Sequence, residues 1–191
     1  MILLSAHYDS YFDGFQDDNA AVAMMLGIAR SLVKGGYKPA HTLVFCAMAA
    51  EEWGIIDSKY DWSTGAYNQV FRVHPDWQGK VIADLNFELP AHAHNRQDAI
   101  RCTPSTVNDF SAGPFMQNYY HSQYDNQDVY QEAVYQFHHE CYLKLIMAID
   151  RLVLPPMNFS NTMNAVAESI HENALSFADP EQNVLLRNLQ T

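Results

Sequence analysis

Residues 41–54 read HTLVFCAMAAEEWG, an apolar run that closes on small residues and then on two adjacent acids, Glu51 and Glu52. Such a run reads as a buried strand delivering carboxylates to its carboxyl end, the edge at which open α/β sheets bind ligands. Adjacent acids rarely point the same way, so the pair suits a division of labour: one carboxylate holds a metal while its neighbour handles protons. Taken alone the couplet is a weak signal that reads more readily as a solvated loop, and what raises it is what the other strands deliver.

Working outward, the run at 1–6, MILLSA, ends in HYDS, with His7 and Asp9 two residues apart. Asp9 is placed to receive the second ring N–H of His7, a contact that fixes the tautomer of a ligating imidazole and raises its basicity. The segment DGFQDDNAAVAMM (13–25) sets Asp17 and Asp18 at the mouth of a helix. Asp18 or Asn19 supplies the expected N-cap, which leaves Asp17 free for chemistry. In KVIADLNFEL (80–89) alternation puts Val81, Ala83, Leu85 and Phe87 on one face and Ile82, Asp84, Asn86 and Glu88 on the other. YYHSQYDNQDVY (119–130) then sets His121 and Asp125 before a long helix. Two imidazoles and several carboxylates, each at a strand end or helix mouth, form the mixed nitrogen and oxygen donor set that zinc favours.

The elements alternate. Strands are predicted at 2–6, 42–48 and 80–88, with a short one near 99–103. Helices are predicted at 19–34, at 127–153 with Asp125 as N-cap, and at 160–175. A mixed segment rich in Tyr and Trp fills 55–72. In the first helix Ala21, Met25, Ile28 and Leu32 form an apolar row beside Val22, Leu26, Ala29 and Val33, and KGGYKP punctuates its end. Strands separated by helices imply an α/β fold, a mostly parallel twisted sheet with helices on both faces.

Composition narrows the function classes. The 191 residues suffice for one domain with one core, and 48% hydrophobic content with regular alternation excludes disorder. A formal charge of −11 without basic clusters argues against nucleic acid as partner. No run of about 20 apolar residues predicts a membrane span. Cys46, Cys102 and Cys141 show no ligand-type pairing, and an odd count gives no disulfide framework. The compartment is not legible, because a signal peptide would precede Met1.

The pieces AHYDS (6–10), GFQDDNAA (14–21), AEEWGIIDS (50–58), LNFE (85–88) and YHSQYDN (120–126) occur in the order of one known family. Over roughly residues 2–155 the chain closely resembles the di-zinc aminopeptidase and glutamate carboxypeptidase family of metallopeptidases, peptidase family M28. The resemblance implies a three-layer zinc exopeptidase fold, phosphorylase/hydrolase-like, and two Zn2+ ions as cofactors. His7, Asp17 and Glu88 would hold one zinc, with Asp9 orienting His7. Glu52, His121 and the bridging Asp17 would hold the other. Glu88 stands where the family usually has Asp. Glu51 would be the general base, and the Asp17–Asp18 peptide would be cis. Three ligating carboxylates leave two divalent cations one positive charge for a bridging hydroxide, which would attack a terminal peptide bond of a peptide substrate.

The implied activity is that of an exopeptidase, an aminopeptidase first. Two alternatives stand beside it: a non-catalytic binding or assembly module, and a single-zinc acyl-transfer enzyme resembling glutaminyl cyclases. The implied division is a catalytic domain at 1–155 and a helical extension of it at 156–191. Against the family's usual length the catalytic domain reads as shortened, lacking strands before the one that carries His7, and a sheet edge left open would invite self-association. Lower readings attach to His92 and His94 as loop contacts, to His138 and His139 as structural, and to Asp84 as an alternative ligand. Asp109 has no assigned role.

Overall fold

The computed structural model describes residues 1–54, 64–92 and 114–153, together with Ser160 and Asn164. Met1–Gln97 and Asp109–Pro155 make one compact unit, and Asp98–Asn108 with Pro156–Thr191 make a second. In the second unit only Ser160 and Asn164 are described, both helical, so the rest of the helix predicted at 160–175 and the strand at 99–103 lie outside the described residues.

The first unit is α/β. Strands β1 (Ile2–His7), β2 (Leu43–Met48) and β3 (Ala83–Asn86) form a parallel sheet in the order β2-β1-β3. Every residue of the central β1 is buried, as expected of a parallel strand flanked on both sides and covered on its faces. Its pairing runs in phase, Ser5 lying beside Cys46 of β2 and Asn86 of β3, so the three strands start at one level; β1 and β2 end together at His7 and Met48, and β3 stops at Asn86, two residues short. β3 is shorter than the strand predicted at 80–88. Ile82 and Phe87 still donate to the Met1 and Ser5 carbonyls at either end of it, but Glu88 and Leu89 turn away, Leu89 with φ +47°.

Helices α1 (Ala20–Lys34) and α4 (Glu132–Asp150) pack on the Ile2, Leu4 and Ala6 face of β1. The buried stripe of α1 is Ala21, Met24, Met25, Ile28 and Leu32. The first predicted row is therefore inside; of the second, Val22 packs against the edge of the core while Leu26 and Val33 are exposed, because the helix meets the sheet along a stripe narrower than its apolar arc. Ile146 and Ile149 of α4 and the ring of Phe87 complete the core. Each fully buried aliphatic side chain of this kind contributes about 1.5–3 kcal/mol, so the core can carry a charged, unfavourable edge above it.

α4 starts at Glu132, later than predicted, after one tight turn at Gln127–Val129 that Asn126 caps. Short helices α2 (Thr64–Asn68) and α3 (Pro114–Asn118) come between β2 and α4 in sequence, on either side of β3. At the far end of α4 the buried carboxylate of Asp150 accepts from Tyr37 Oη (2.7 Å) and from the Ala40 and His41 backbone N–H groups (2.9 and 2.8 Å). That clamp fixes the loop leading into β2. Cys46 is buried and Cys141 half-buried, both as free thiols, while Cys102 lies outside the described residues. Among the described residues no helix is long and apolar enough to cross a membrane.

Candidate metal centre

The carboxyl ends of the strands set the site. His7 closes β1, Glu51 and Glu52 follow β2, and Glu88 follows β3. Asp17 comes from the turn Phe15–Asn19 that enters α1, and His121 from the turn after α3. The backbone is wound tightly here: Ala50, Leu89 and His121 have φ of +62°, +47° and +53°, a region that costs side-chain-bearing residues energy and clusters at functional sites. Gly14, with φ +47°, opens the Asp17 turn, and a Cβ there would lie 2.6 Å from the Asp17 carbonyl oxygen. The Asp17–Asp18 peptide is cis.

Asp17 faces two ways. Its Oδ1 lies 3.1 Å from His7 Nε2 and its Oδ2 lies 3.2 Å from His121 Nε2. Glu88 Oε1 stands 3.7 Å from His7 Nε2, and Glu52 Oε2 stands 2.8 Å from His121 Nε2. Two groups able to hold a metal ion result, His7–Asp17–Glu88 and Asp17–Glu52–His121, with Asp17 common to both; a third group, His7–Glu51–Glu52, overlaps them. His7 Nε2, Asp17 Oδ2, Asp18 Oδ2 and Glu52 Oε1 are buried without hydrogen-bond partners. Buried polar atoms ordinarily find partners. Atoms that approach each other closely, yet without hydrogen-bond geometry, converge on a common point instead, and a nitrogen-and-oxygen donor set of this kind fits zinc.

The electrostatics agree. Burial opposes an imidazolium at His7, but the carboxylates of Asp17, Glu88 and Asp18 outweigh it and push the pKa up to about 12. Burial, then its acidic neighbours, raises Glu51 to about 7 and Glu52 to about 8. Burial also raises Asp18 well above the usual carboxylate range, with Glu88 adding to it. A cluster that retains protons so strongly is one that lacks positive charge. His121 moves the other way, lowered by burial despite the carboxylate of Asp17. Its ring is held between Tyr120 (3.7 Å between centroids) and Tyr11 (4.4 Å).

Three acids near the site hold backbone. Asp9 was expected to receive the ring N–H of His7. Instead the backbone carbonyl of Asp9 meets His7 Nδ1 at 2.9 Å. Its carboxylate, 3.5 Å from the ring, accepts from the Glu51 and Glu52 N–H groups at 3.1 and 3.0 Å. Asp18 is not an N-cap, because it is fully buried and accepts from Leu89 N–H at 3.2 Å. Asn19 does not cap by its side chain either; its amide donates to the Asp13 and Gly14 carbonyls. Nor does Asp125 cap a helix: its carboxylate accepts from the Gln16 and Asp17 N–H groups at 2.9 and 3.0 Å. Sequence reasoning missed these anchors, since an acid before a helix carries the same signal whether it caps that helix or reaches across to another loop.

The remaining candidates fall away from the cluster. Asp84 Oδ1 accepts from Ser5 Oγ at 3.0 Å and belongs to none of the metal-holding groups among the described residues. It lines the same cavity of about 290 Å³ as Ser5, His7, Glu51 and Glu88. His92 stacks on Phe115 at 4.2 Å. His138 Nδ1 accepts from Ala91 N–H, and His139 approaches Ser31 Oγ at 3.5 Å. His94 and Asp109 lie outside the described residues.

Residues 1–112 match the model of peptidase family M28. The chain belongs to peptidase family M28. Among its relatives, a glutamate carboxypeptidase 2 homolog of Caenorhabditis elegans is 38% identical over 61 residues, 30% of this chain and 8% of that one. A probable glutamate carboxypeptidase LAMP1 of Arabidopsis thaliana is 37% identical over 60 residues, 30% of this chain and 9% of its own. A probable glutamate carboxypeptidase VP8 of Zea mays is 35% identical over 90 residues, 46% of this chain and 12% of its own. The M28 chain thus spans about a tenth of the length of the curated relatives it matches. No solved structure matches it.

Proposed function

We propose that this M28 chain forms the catalytic site of a zinc-dependent exopeptidase of the aminopeptidase type, holding two zinc ions and using Glu51 as general base. One observation carries the reading: the two oxygens of Asp17 face two different imidazoles at 3.1 and 3.2 Å. One ion would be held by His7, Asp17 and Glu88, the other by Asp17, Glu52 and His121. When bound, the ions supply Lewis acidity for the scissile carbonyl and lower the pKa of water to about 7.

Glu51 suits proton transfer. Burial raises its pKa to about 7, and a base works best when poised near the operating pH. Its carboxylate takes a proton from the attacking water and returns it to the leaving amine. Asp9 fixes where that carboxylate starts, through the Glu51 backbone N–H. The aminopeptidase reading is supported by the lining of the cavity: among the described residues no Lys or Arg lies in it to pair with a free α-carboxylate.

The names of the relatives favour a second reading, a carboxypeptidase. Zinc-loaded protein separates the two when supplied with unblocked aminoacyl anilides and with N-acylated peptides bearing a free carboxyl terminus. Turnover of the first class alone supports the proposal; turnover of the second alone replaces it. Two bound zinc ions without turnover of either class would favour a binding module. Fewer than two tight zinc sites in well-folded protein would overturn the two-metal reading.

A further inference from the structure

We propose that Asp125 is a positioning residue for the second metal position, tying together the two loops that carry its ligands. The inference rests on the two-zinc reading above. Asp17 reaches the site from the turn before α1 and His121 from the turn after α3, segments more than 100 residues apart. Asp125 is 1% exposed and lies four residues after His121. Its carboxylate oxygens each accept one backbone N–H, from Gln16 at 2.9 Å and from Asp17 at 3.0 Å. Its carbonyl accepts from Phe15 N–H at 3.1 Å, and its own N–H donates to the Ser122 carbonyl at 3.0 Å. The path from the Asp17 backbone to the residue after His121 is therefore one side chain and one turn.

The other ligands are set differently. His7 is part of β1, and the Glu52 and Glu88 loops leave strands that β1 fixes by pairing. His121 lies outside the sheet, in the left-handed region at φ +53°. Its distance of 3.2 Å from Asp17 Oδ2 depends on how the two loops are joined. Two parallel N–H bonds to one carboxylate set orientation as well as separation. Asn at position 125 would keep one acceptor and turn an NH2 group toward the other N–H. The Asp17 turn and the His121 loop would then shift against each other, which touches two of the three ligands in Asp17–Glu52–His121, whereas in His7–Asp17–Glu88 only Asp17 moves and the other two stay set by the strands.

Calorimetric titration of metal-free protein with zinc chloride tests this. Wild type is expected to bind two zinc ions. In Asp125→Asn one site should lose about 10- to 100-fold in affinity, the range typical when a partner of a metal ligand is removed, while the other weakens much less, and the site lost in His121→Ala should be the one that Asp125→Asn weakens. Asp125→Glu, which keeps both acceptors on a longer arm, should show the same split to a smaller degree and guards against misfolding of the Asn variant. Asp150→Asn removes an equally buried, backbone-holding carboxylate far from the site; it should lower the melting temperature and leave both zinc affinities alone. Equal weakening of both sites, or of neither, in the Asp125 variants overturns the proposal. Wild type that binds fewer than two zinc ions overturns the two-metal reading, and the proposal with it.

Discussion

Glu51→Gln is the perturbation that bears most directly on the chemistry. Glutamine keeps the volume of the side chain and removes the charge and the proton acceptor. The backbone of residue 51 does not depend on that side chain, because its N–H is held by the Asp9 carboxylate at 3.1 Å. The carboxylate itself stands 3.8 Å from His7 Nε2 and is about one-third exposed, so water can reach it. A positioned general base contributes about 10²- to 10⁴-fold in rate. At about 1.36 kcal/mol per tenfold, the substitution should add about 2.7–5.5 kcal/mol to the barrier. The loss should fall on kcat with little change in KM, since a proton-transfer group acts in the transition state rather than in binding. Steady-state kinetics on an unblocked aminoacyl anilide, with zinc counted in the same sample, reads both quantities. His7, Glu51 and Glu52 also form a group that could hold a metal ion, which gives the experiment a second edge. Loss of one zinc together with the rate would show Glu51 to be a ligand. Retention of more than about a tenth of wild-type kcat would refute the base assignment.

Three further outcomes are expected. Gly14→Ala should destabilise the protein by about 2–5 kcal/mol, from a left-handed residue and a crowded interior, because the new Cβ would lie 2.1 Å from Ser10 Cβ and 2.6 Å from the Asp17 carbonyl oxygen; urea denaturation at wild-type midpoint would contradict this. Asp150→Asn should cost about 2–4 kcal/mol by the same assay. Burial works to raise the Asp150 pKa, but Tyr37, Ala40 and His41 outweigh it and hold it below the usual value, so its contribution is complete above the unfolded pKa and disappears as pH falls through the folded one. The difference between wild type and this variant should therefore shrink in acid and be constant above about pH 5. Finally, zinc uptake should release protons and tighten from about pH 6 to pH 8, because His7 and Glu52 hold protons up to about 12 and about 8 in the metal-free protein; titrations in buffers of different ionisation enthalpy would expose a binding step that releases none.

The alternation of apolar runs with helical periodicity was enough for an α/β fold, since a buried parallel strand needs apolar residues on both faces and its crossover needs a helix. The same runs marked where acids and imidazoles emerge, so His7, Glu51, Glu52 and Glu88 were legible as strand-end residues before any coordinates. Alternation put Asp84 and Glu88 on one face, and both line one cavity, although β3 ends at Asn86 and Glu88 is set by the turn after it. Helix faces were less legible. Leu26 and Val33 fit an apolar row of α1 but stay exposed, because the contact with β1 and α4 is narrower than the pattern allows.

What the tertiary structure alone decided is which backbone the acids beside the cluster hold. Asp9, Asp18 and Asp125 have the local sequence signals of a histidine partner and two helix caps. Each instead accepts backbone N–H groups from a segment at least 42 residues away in sequence. A carboxylate's local preference is set by neighbours within a turn, whereas its partner here is set by which loops the sheet brings to one edge. The residue types that gather at the sheet edge were therefore written in the sequence. The 3.2 Å separation between Asp17 and His121 was fixed only when two loops distant in sequence met around the buried carboxylate of Asp125.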